Sequence, residues 1–497
     1  MSFTVRELLD GAGVVAVSAE GLWAAGCRGL AYDSRRVEPG TLFFAFVGAV
    51  EDGRRYALQA MERGAVAVVS EAVRPEGMTM PWIQVAHGRR ALARAAKVFY
   101  GAPDERLGVT GVTGTNGKTT CTYVMDSVLR AAGHRTTRIG TIGYDVAGVA
   151  EAAANTTPES LDLFGLLART VEAGGRYATM EVSSHALAQG RVSGVRFHTA
   201  VFTNLTQDHL DYHGTMEAYF AAKARLFGEE YKPAQAVINA DDEYGRRIGT
   251  AAGTVVLRYG LGKGAELRAE GIESTFAGLR FWAVRGGERH EVRSALTGEI
   301  NVYNILAALG TGLSYGMDWE TMLRGIAACQ GVPGRFERVA CGQPFLVVVD
   351  YAHTEDALRN TLRVARGLLT GGRLIVLFGC GGDRDRTKRP RMGMAAGEWS
   401  DFVVVTSDNP RSEDPLAILN DVLVGLRRTD APHVVEPDRA AGIAAALGRA
   451  RAGDIVVLAG KGHETYQVTR TGTIAFDDRL VARAVLGRLG YGVAACE

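Results

Sequence analysis

The segment GVTGVTGTNGKTT at 108–120 constrains this chain more than any other, because an apolar strand runs into a glycine-rich turn and then into the start of a helix. A helix N-terminus presents unpaired amides, and Gly114 and Gly117 let the backbone close around an anion, so the turn reads as a phosphate cradle. Lys118 is placed to reach β- and γ-phosphates from a solvent-facing position, and the Thr119 hydroxyl to meet Mg²⁺. One position breaks the strict phosphate-loop pattern: Val112 stands where its first glycine belongs.

The surroundings of the loop predict an α/β fold. From about residue 104, apolar strands alternate with helical segments (LGVTGV, YATMEVSS, TAVFTNL, AQAVINA), which is the pattern of a mostly parallel sheet. A β-rich stretch at 254–297 reads as an insertion, and the unit closes near GVPGRFERV. Residues 1–103 carry short β-rich runs and a helical ALARAAKVFY, ending in a GAPDER linker. Beyond 338, four apolar strands each run into a polar tip: FLVVV into DYAHTED, RLIVLFG into CGGDRDRTKR, DFVVV into TSDNPRSEDP, and DIVVLAG into KGHETYQ. Ligands bind beyond the carboxyl ends of such strands, so these tips read as a binding edge. The expectation is three domains, 1–103, 104–337 and 338–497, with a central phosphate-loop sheet and a C-terminal Rossmann-like sheet. A chain of 497 residues suits this count when domains run to about 100–200 residues.

Charge and composition narrow the partners. With 56 Lys and Arg against 55 Asp and Glu, no global field favours nucleic acid or a membrane surface. No uncharged apolar run approaches the roughly 18 residues of a membrane span, and the N-terminus has no apolar leader, so a cytoplasmic protein is expected. The six cysteines show neither paired nor zinc-like spacing and are read as reduced packing residues.

Acids and a lysine join the loop as candidates. Glu181 closes one strand, and Asp208, His209 and Asp211 follow another, where carboxylates could serve a nucleotide-bound Mg²⁺. Thr215 reads as a helix N-cap, and Tyr219, Phe220, Leu226 and Phe227 stand at i−4, i−3, i+3 and i+4 from Lys223. That places Lys223 within an apolar stripe, as a buried amine of depressed pKa or as a lysine that snorkels to the surface.

The ordered set TGTNGKTT, NTTP (155–158), MEVSSHAL, TNLTQDHLDYHG, AAKARLF, GRFE, DYAHTEDAL, SDNPRSEDP and AGKGHETYQ resembles the Mur ligase family across nearly the whole chain. Within the family the match is to the branch that adds the third residue of the peptide. The resemblance implies ATP held by Gly114, Thr115, Asn116, Gly117, Lys118, Thr119 and Thr120, with Asn304, Arg335, Asp350 and His353 on the nucleotide side. It implies one Mg²⁺ on Thr119 and Glu181, and a second on His209 with Lys223 carbamylated. Asn155, Thr156, Thr157, Ser183, Gln189 and Arg191 match positions that hold a UDP-linked muramoyl dipeptide, and Tyr32 and Ser34 match uridine contacts. The neighbouring AVEDG (49–53) departs from the family's forms. For the incoming amino acid the resemblance implies Arg384, Asp408, Asn409, Pro410, Arg411, Gly460 and Glu464. The DNPR run points to meso-diaminopimelate, whose distal carboxylate suits an arginine fork. The implied reaction is ATP-dependent amide ligation through an acyl phosphate, with Lys118, His209 and Lys223 as catalytic residues. L-Lysine or another diamino acid is the alternative substrate, and relatives that add the later dipeptide or polyglutamate, or a kinase or nucleotide-gated module without ligase chemistry, are the rival readings.

Overall fold

Valine-rich runs set the architecture. In the computed structural model, which describes residues 2–48 and 52–492, they become the inner strands of three large sheets. The positions 49–51 of AVEDG lie outside the described residues.

The central sheet has eleven strands, and the strand Gly108–Thr113 lies in its parallel part between Tyr177–Glu181 and Thr199–Phe202. Gln235–Asn239 and Val255–Gly260 continue the parallel run. The expected insertion at 254–297 is instead the sheet's own edge: Leu267–Thr275, Gly278–Arg285 and Glu288–Ser294 extend it, the last two antiparallel. The reason is burial, since Leu267, Phe281, Ala283 and Val292 share one apolar core with the helix Glu299–Ser314. On the opposite face, Leu163, Phe164 and Phe202 belong to a cluster that also holds Leu42, Val69 and Ile83 from the N-terminal five-stranded sheet and Val5, Leu8 and Leu92 from the helices beside it. The first two sheets are thus joined by continuous apolar packing.

The third sheet runs in the order Glu337–Val339, Leu346–Asp350, Ile455–Ala459, Leu374–Phe378, Phe402–Thr406 and His433–Glu436, parallel except for the first. Two clusters bury its two faces, which explains the unbroken apolar runs FLVVV and LIVLF. Where Phe402–Thr406 and Ile455–Ala459 end, the buried Arg439 donates to Ser407 O at 3.2 Å and Ala459 O at 2.9 Å and pairs with Asp478 at 2.7 Å. Both side chains of that pair are fully buried.

Among the described residues no helix is long and apolar enough to cross a membrane. Cys27, Cys121, Cys329 and Cys380 are free and buried, as expected of packing residues. Cys341 departs from that expectation, being disulfide-bonded.

Candidate active site

The sheet ends at Thr113 with Val112 fully buried, so the position of the missing glycine is still strand and its side chain serves the core. The loop is therefore only Gly114–Gly117. Gly114 has φ +148°, and a Cβ there would stand 1.9 Å from Thr203 Oγ1. At Gly117, with φ +88°, a Cβ would stand 2.5 Å from Asn304 Oδ1. Not all loop amides are open. Thr115 N–H donates to Asn204 O at 2.8 Å and Asn116 N–H to Asn204 Oδ1 at 2.9 Å. The first helical bond is Cys121 N–H to Gly117 O at 2.8 Å, which leaves the amides of 117–120 without an intrahelical acceptor, aimed where an anion would sit.

Two lysines meet on this loop. Lys118 donates to Gly114 O at 2.9 Å and Thr115 O at 2.8 Å, so it is half-buried and turned inward, a correction to its expected solvent-facing position. Lys223 donates to the same Gly114 O at 2.7 Å. It rides the helix Met216–Ala224, whose N-cap Thr215 accepts from Ala218 N–H at 3.1 Å. At 1% exposure, with its ammonium 4.7 Å from the Tyr219 ring centre, Lys223 does not snorkel. Burial pushes both amines down, Lys223 well below the usual lysine range, and Lys118 repels Lys223 further. Neither lysine forms an ion pair among the described residues, and the nearest carboxylates, Glu181 and Asp208, act on them only at longer range.

Facing them, a cavity of about 220 Å³ is lined by Thr119, Thr120, Glu181, Asp208, His209 and Lys223, and also by Thr156, Ser183 and Arg335. Glu181 is 1% exposed and accepts from Thr141 N–H at 2.9 Å and the Thr141 hydroxyl at 3.1 Å. Thr119 Oγ1 accepts from Arg335 at 3.2 Å. His209 sits at φ +52°, strained for a residue with a Cβ, 3.3 Å from Asp208. Burial lowers the pKa of His209 and takes that of neighbouring His185 to about 4, so both rings stay neutral and available as ligands or acceptors. Asp211 is exposed. No three His, Cys, Asp or Glu side chains among the described residues form a protein-only metal cage. The donor set still fits Mg²⁺, which takes most of its ligands from phosphate and water and needs only one or two protein oxygens.

A smaller cavity of about 100 Å³ opens on the other side of the loop, lined by Asn116, Gly117, Thr120, Asn304, Arg335 and Asp350 among others. Asp350 is occupied structurally, accepting from Phe336 N–H at 2.7 Å, Ala352 N–H at 3.0 Å and Thr361 Oγ1 at 3.0 Å. Asn304 donates to Asn301 Oδ1 at 2.8 Å.

The remaining expected positions divide. Thr156 and Ser183 reach the loop cavity, whereas the Thr157 hydroxyl is spent on Glu181 O at 2.8 Å. Arg191 pairs with Glu159 at 3.2 Å and Gln189 donates to Tyr212 at 3.4 Å, while Asn155 is exposed. In the first sheet, Tyr32 donates to Asp162 of the central unit, and Ser34 donates to Gln59 at 2.7 Å and is buried.

The strand tips of the third sheet face the loop. A cavity of about 730 Å³ runs from His209 and Asp208 to Arg384, Asp408, Asn409, Arg411, Gly460 and Glu464. It shares Asp208, His209, Tyr351, His353 and Thr354 with the loop cavity, so the two form one cleft. Arg411, at φ +53°, donates through one nitrogen to Gly382 O at 2.7 Å. Arg384 is exposed, and Pro410 turns to a separate groove beside Glu413 and Arg439. Two contributors escaped the sequence reading. Asp356 spans the cleft, accepting from Asn116 and from Thr206, each at 3.0 Å. Lys461, fully buried, donates to Glu464 at 2.8 Å and Asn409 at 3.1 Å. The signal for Lys461 was a cation between two glycines at a strand end.

Three family descriptions match the chain in order: "Mur ligase family, catalytic domain" over 27–100, "Mur ligase middle domain" over 112–312, and "Mur ligase, glutamate ligase domain" over 334–462. A UDP-N-acetylmuramoyl-L-alanyl-D-glutamate--2,6-diaminopimelate ligase of Solibacter usitatus is 63% identical over 465 residues, 93% of this chain and 94% of the relative. One of the same name from Geobacillus thermodenitrificans is 47% identical over 463 residues, covering 92% and 94%. Among solved structures, a UDP-N-acetylmuramoyl-L-alanyl-D-glutamate--2,6-diaminopimelate ligase superposes with a TM-score of 0.70 at 34% identity, covering 99% of this chain and 100% of that one.

Proposed function

The chain belongs to the Mur ligase family, and on that premise we propose that it is the ATP-dependent ligase joining meso-diaminopimelate to UDP-N-acetylmuramoyl-L-alanyl-D-glutamate in the cytoplasm. The product would be a peptidoglycan precursor. The observation that carries this reading is the one cleft in which a phosphate loop and the Asp408–Arg411 strand tip face each other. We take the three sheets as domains 1–103, 104–337 and 338–497, presenting the UDP-dipeptide, ATP and the amino acid respectively.

The chemistry follows from that arrangement. The side-chain carboxylate of the dipeptide's D-glutamate attacks the γ-phosphorus and ADP leaves, giving an acyl phosphate. The deprotonated amine of the amino acid attacks the acyl carbon, phosphate leaves, and an amide remains. The protein's part is positioning and charge neutralisation. Amides 117–120 would cradle phosphate, and Lys118 would swing from its loop carbonyls to the transferred group. Thr119 and Glu181 would hold one Mg²⁺, and His209 with a carbamylated Lys223 a second, to neutralise phosphate charge. Carbamylation suits Lys223 because a depressed amine is neutral enough to take up CO₂, and the carbamate would replace a cation that repels Lys118 with an anion.

Specificity rests on the distal end of the amino acid. The Arg411 nitrogens not used by Gly382 can fork a carboxylate, while Asp408, Asn409 and Glu464 surround an ammonium. L-Lysine offers the ammonium without the carboxylate and would leave the guanidinium unpaired. The test is phosphate release from ATP with the UDP-dipeptide and a panel of amino acids, for wild type and Arg411→Ala. Release is expected only with both substrates, with diaminopimelate strongly preferred. The variant should weaken diaminopimelate by about 10- to 100-fold, the equivalent of a charge-assisted pair of about 1.5–3 kcal/mol, without changing the KM for ATP. Equal use of lysine by the wild type, or an unchanged preference in the variant, would refute the specificity assignment.

A further inference from the structure

Asp408, Asn409 and Glu464 lie at the ends of two different strands, and something must hold them as one receptor. Their charges do not balance by themselves. Lys461 is fully buried, with its ammonium 2.8 Å from Glu464 Oε2, 3.1 Å from Asn409 Oδ1 and 3.7 Å from Asp408 Oδ1. Asn409 also donates to Glu464 Oε2 at 2.9 Å, and its Oδ1 accepts from Val468 N–H at 2.9 Å, so each end of the amide is fixed. One cation therefore sits beneath two carboxylates. The neighbouring Arg439 is paired with Asp478 at 2.7 Å, so those two balance each other, although the guanidinium still lowers the Asp408 carboxyl.

With both acids as carboxylates, the set Asp408, Glu464 and Lys461 thus carries one uncompensated negative charge, and one of its oxygens has no hydrogen-bond partner. Asp408 Oδ1 is buried with no hydrogen-bond partner, and both acids line the large cavity. An unpaired buried acceptor is costly, and a single ammonium arriving from the cavity would complete the set.

We infer that Lys461 is the positioning residue of the amino-acid end: from beneath the cavity floor it fixes Glu464 and Asn409 beside Asp408, and so builds a receptor for one substrate ammonium. This rests on the diamino-acid reading above. Lys461 does not touch the substrate in this scheme, because the carboxylates lie between it and the cavity. It makes the receptor's negative charge tolerable in a buried place and leaves enough of it for the ligand. Burial already raises the Asp408 carboxyl, with Arg439 and then Lys461 holding it down. Removing Lys461 raises it further, so ionisation of the receptor moves toward neutral pH.

The experiment compares Lys461→Met and Lys461→Gln with wild type in steady-state phosphate release, varying ATP, UDP-dipeptide and diaminopimelate in turn between pH 6 and 9. Both variants remove the charge at similar length, and Gln keeps an N–H donor in case Met destabilises the floor. The KM for diaminopimelate is expected to rise by about 10- to 100-fold, with the KM values for ATP and UDP-dipeptide within twofold. That rise should steepen as pH falls, because a carboxylate protonated in the variant no longer binds ammonium. Lys461→Arg, which restores the charge, should recover part of the loss. Equal increases in all three KM values, or a pH-independent rise, would assign Lys461 a purely structural role and overturn the inference. A diaminopimelate KM unchanged in either neutral variant would overturn it as well. Failure of the wild type to release phosphate with diaminopimelate would instead overturn the underlying reading, and this inference with it.

Discussion

Replacing Arg439 with Met tests whether the two strand tips that carry the amino-acid end are held by one buried cation. Arg439 and Asp478 are fully buried, joined by two hydrogen bonds of 2.7 Å, and Arg439 also satisfies the carbonyls of Ser407 and Ala459. Removing the arginine leaves Asp478 as an uncompensated buried charge, which costs about 3–5 kcal/mol. The two orphaned carbonyls keep the estimate at the upper end of that range, at about 1–3 kcal/mol each before water relieves them. For a unit of roughly 150–250 residues, each kcal/mol is worth about 2–4 °C, so a loss near ~5 kcal/mol should lower the C-terminal transition in calorimetry by roughly 10–20 °C. The double variant Arg439→Met with Asp478→Leu removes both charges and should regain most of the loss, because an apolar pair can replace a buried ion pair at little cost. A transition within 2 °C of wild type in Arg439→Met would refute the reasoning, as would a double variant no more stable than the single one.

Lys118→Ala should abolish phosphate release while shifting the melting temperature little, since Lys118 bonds only to carbonyls of its own loop; retained turnover in a folded variant would remove the loop from the mechanism. Lys223→Ala should be nearly inactive and partly rescued by added formate, with ¹³C-labelled bicarbonate giving a carbamate NMR signal in the wild type alone; a silent wild-type spectrum under CO₂ would count against carbamylation. Acidification should destabilise the protein through His185 and His463, both held near pKa 4 by burial against an unfolded value of about 6.5. Between those limits the unfolded state binds more protons, so stability present above pH 6.5 is lost as pH falls toward 4, and a melting temperature flat across that window would contradict the assignment.

The loop, the flanking strands and the decorated tips of the third sheet were legible because each is local: a strand period, a glycine, a polar end. Helical spacing placed Lys223 in an apolar stripe but left burial and snorkelling both open, and the structure decides for burial. What the sequence hid was contact between distant segments. Nothing near Asn204 shows that it occupies the Thr115 and Asn116 amides, and nothing near Gly114 shows that two lysines share its carbonyl. The 254–297 strands read as an insertion because alternation reports one buried face but not which core buries it. Lys461 was passed over because a lysine beside glycines is usually solvated, and only the fold puts two carboxylates and an amide over it.

The central position of the strand Gly108–Thr113 also sets when this protein becomes competent to bind. The loop's amides are fixed by Asn204, 88 residues beyond Asn116; Asn304 meets Cys121 across 183 residues, and Arg335 reaches Thr119 across 216. As the chain leaves the ribosome, the loop is therefore synthesised long before the residues that shape it, and parallel pairings of such separation are slow to form. Nucleotide affinity should appear as a late, nearly all-or-none event in folding. Because ATP would bind only the finished loop, its presence draws the folding equilibrium forward by mass action without acting as a template for the earlier steps.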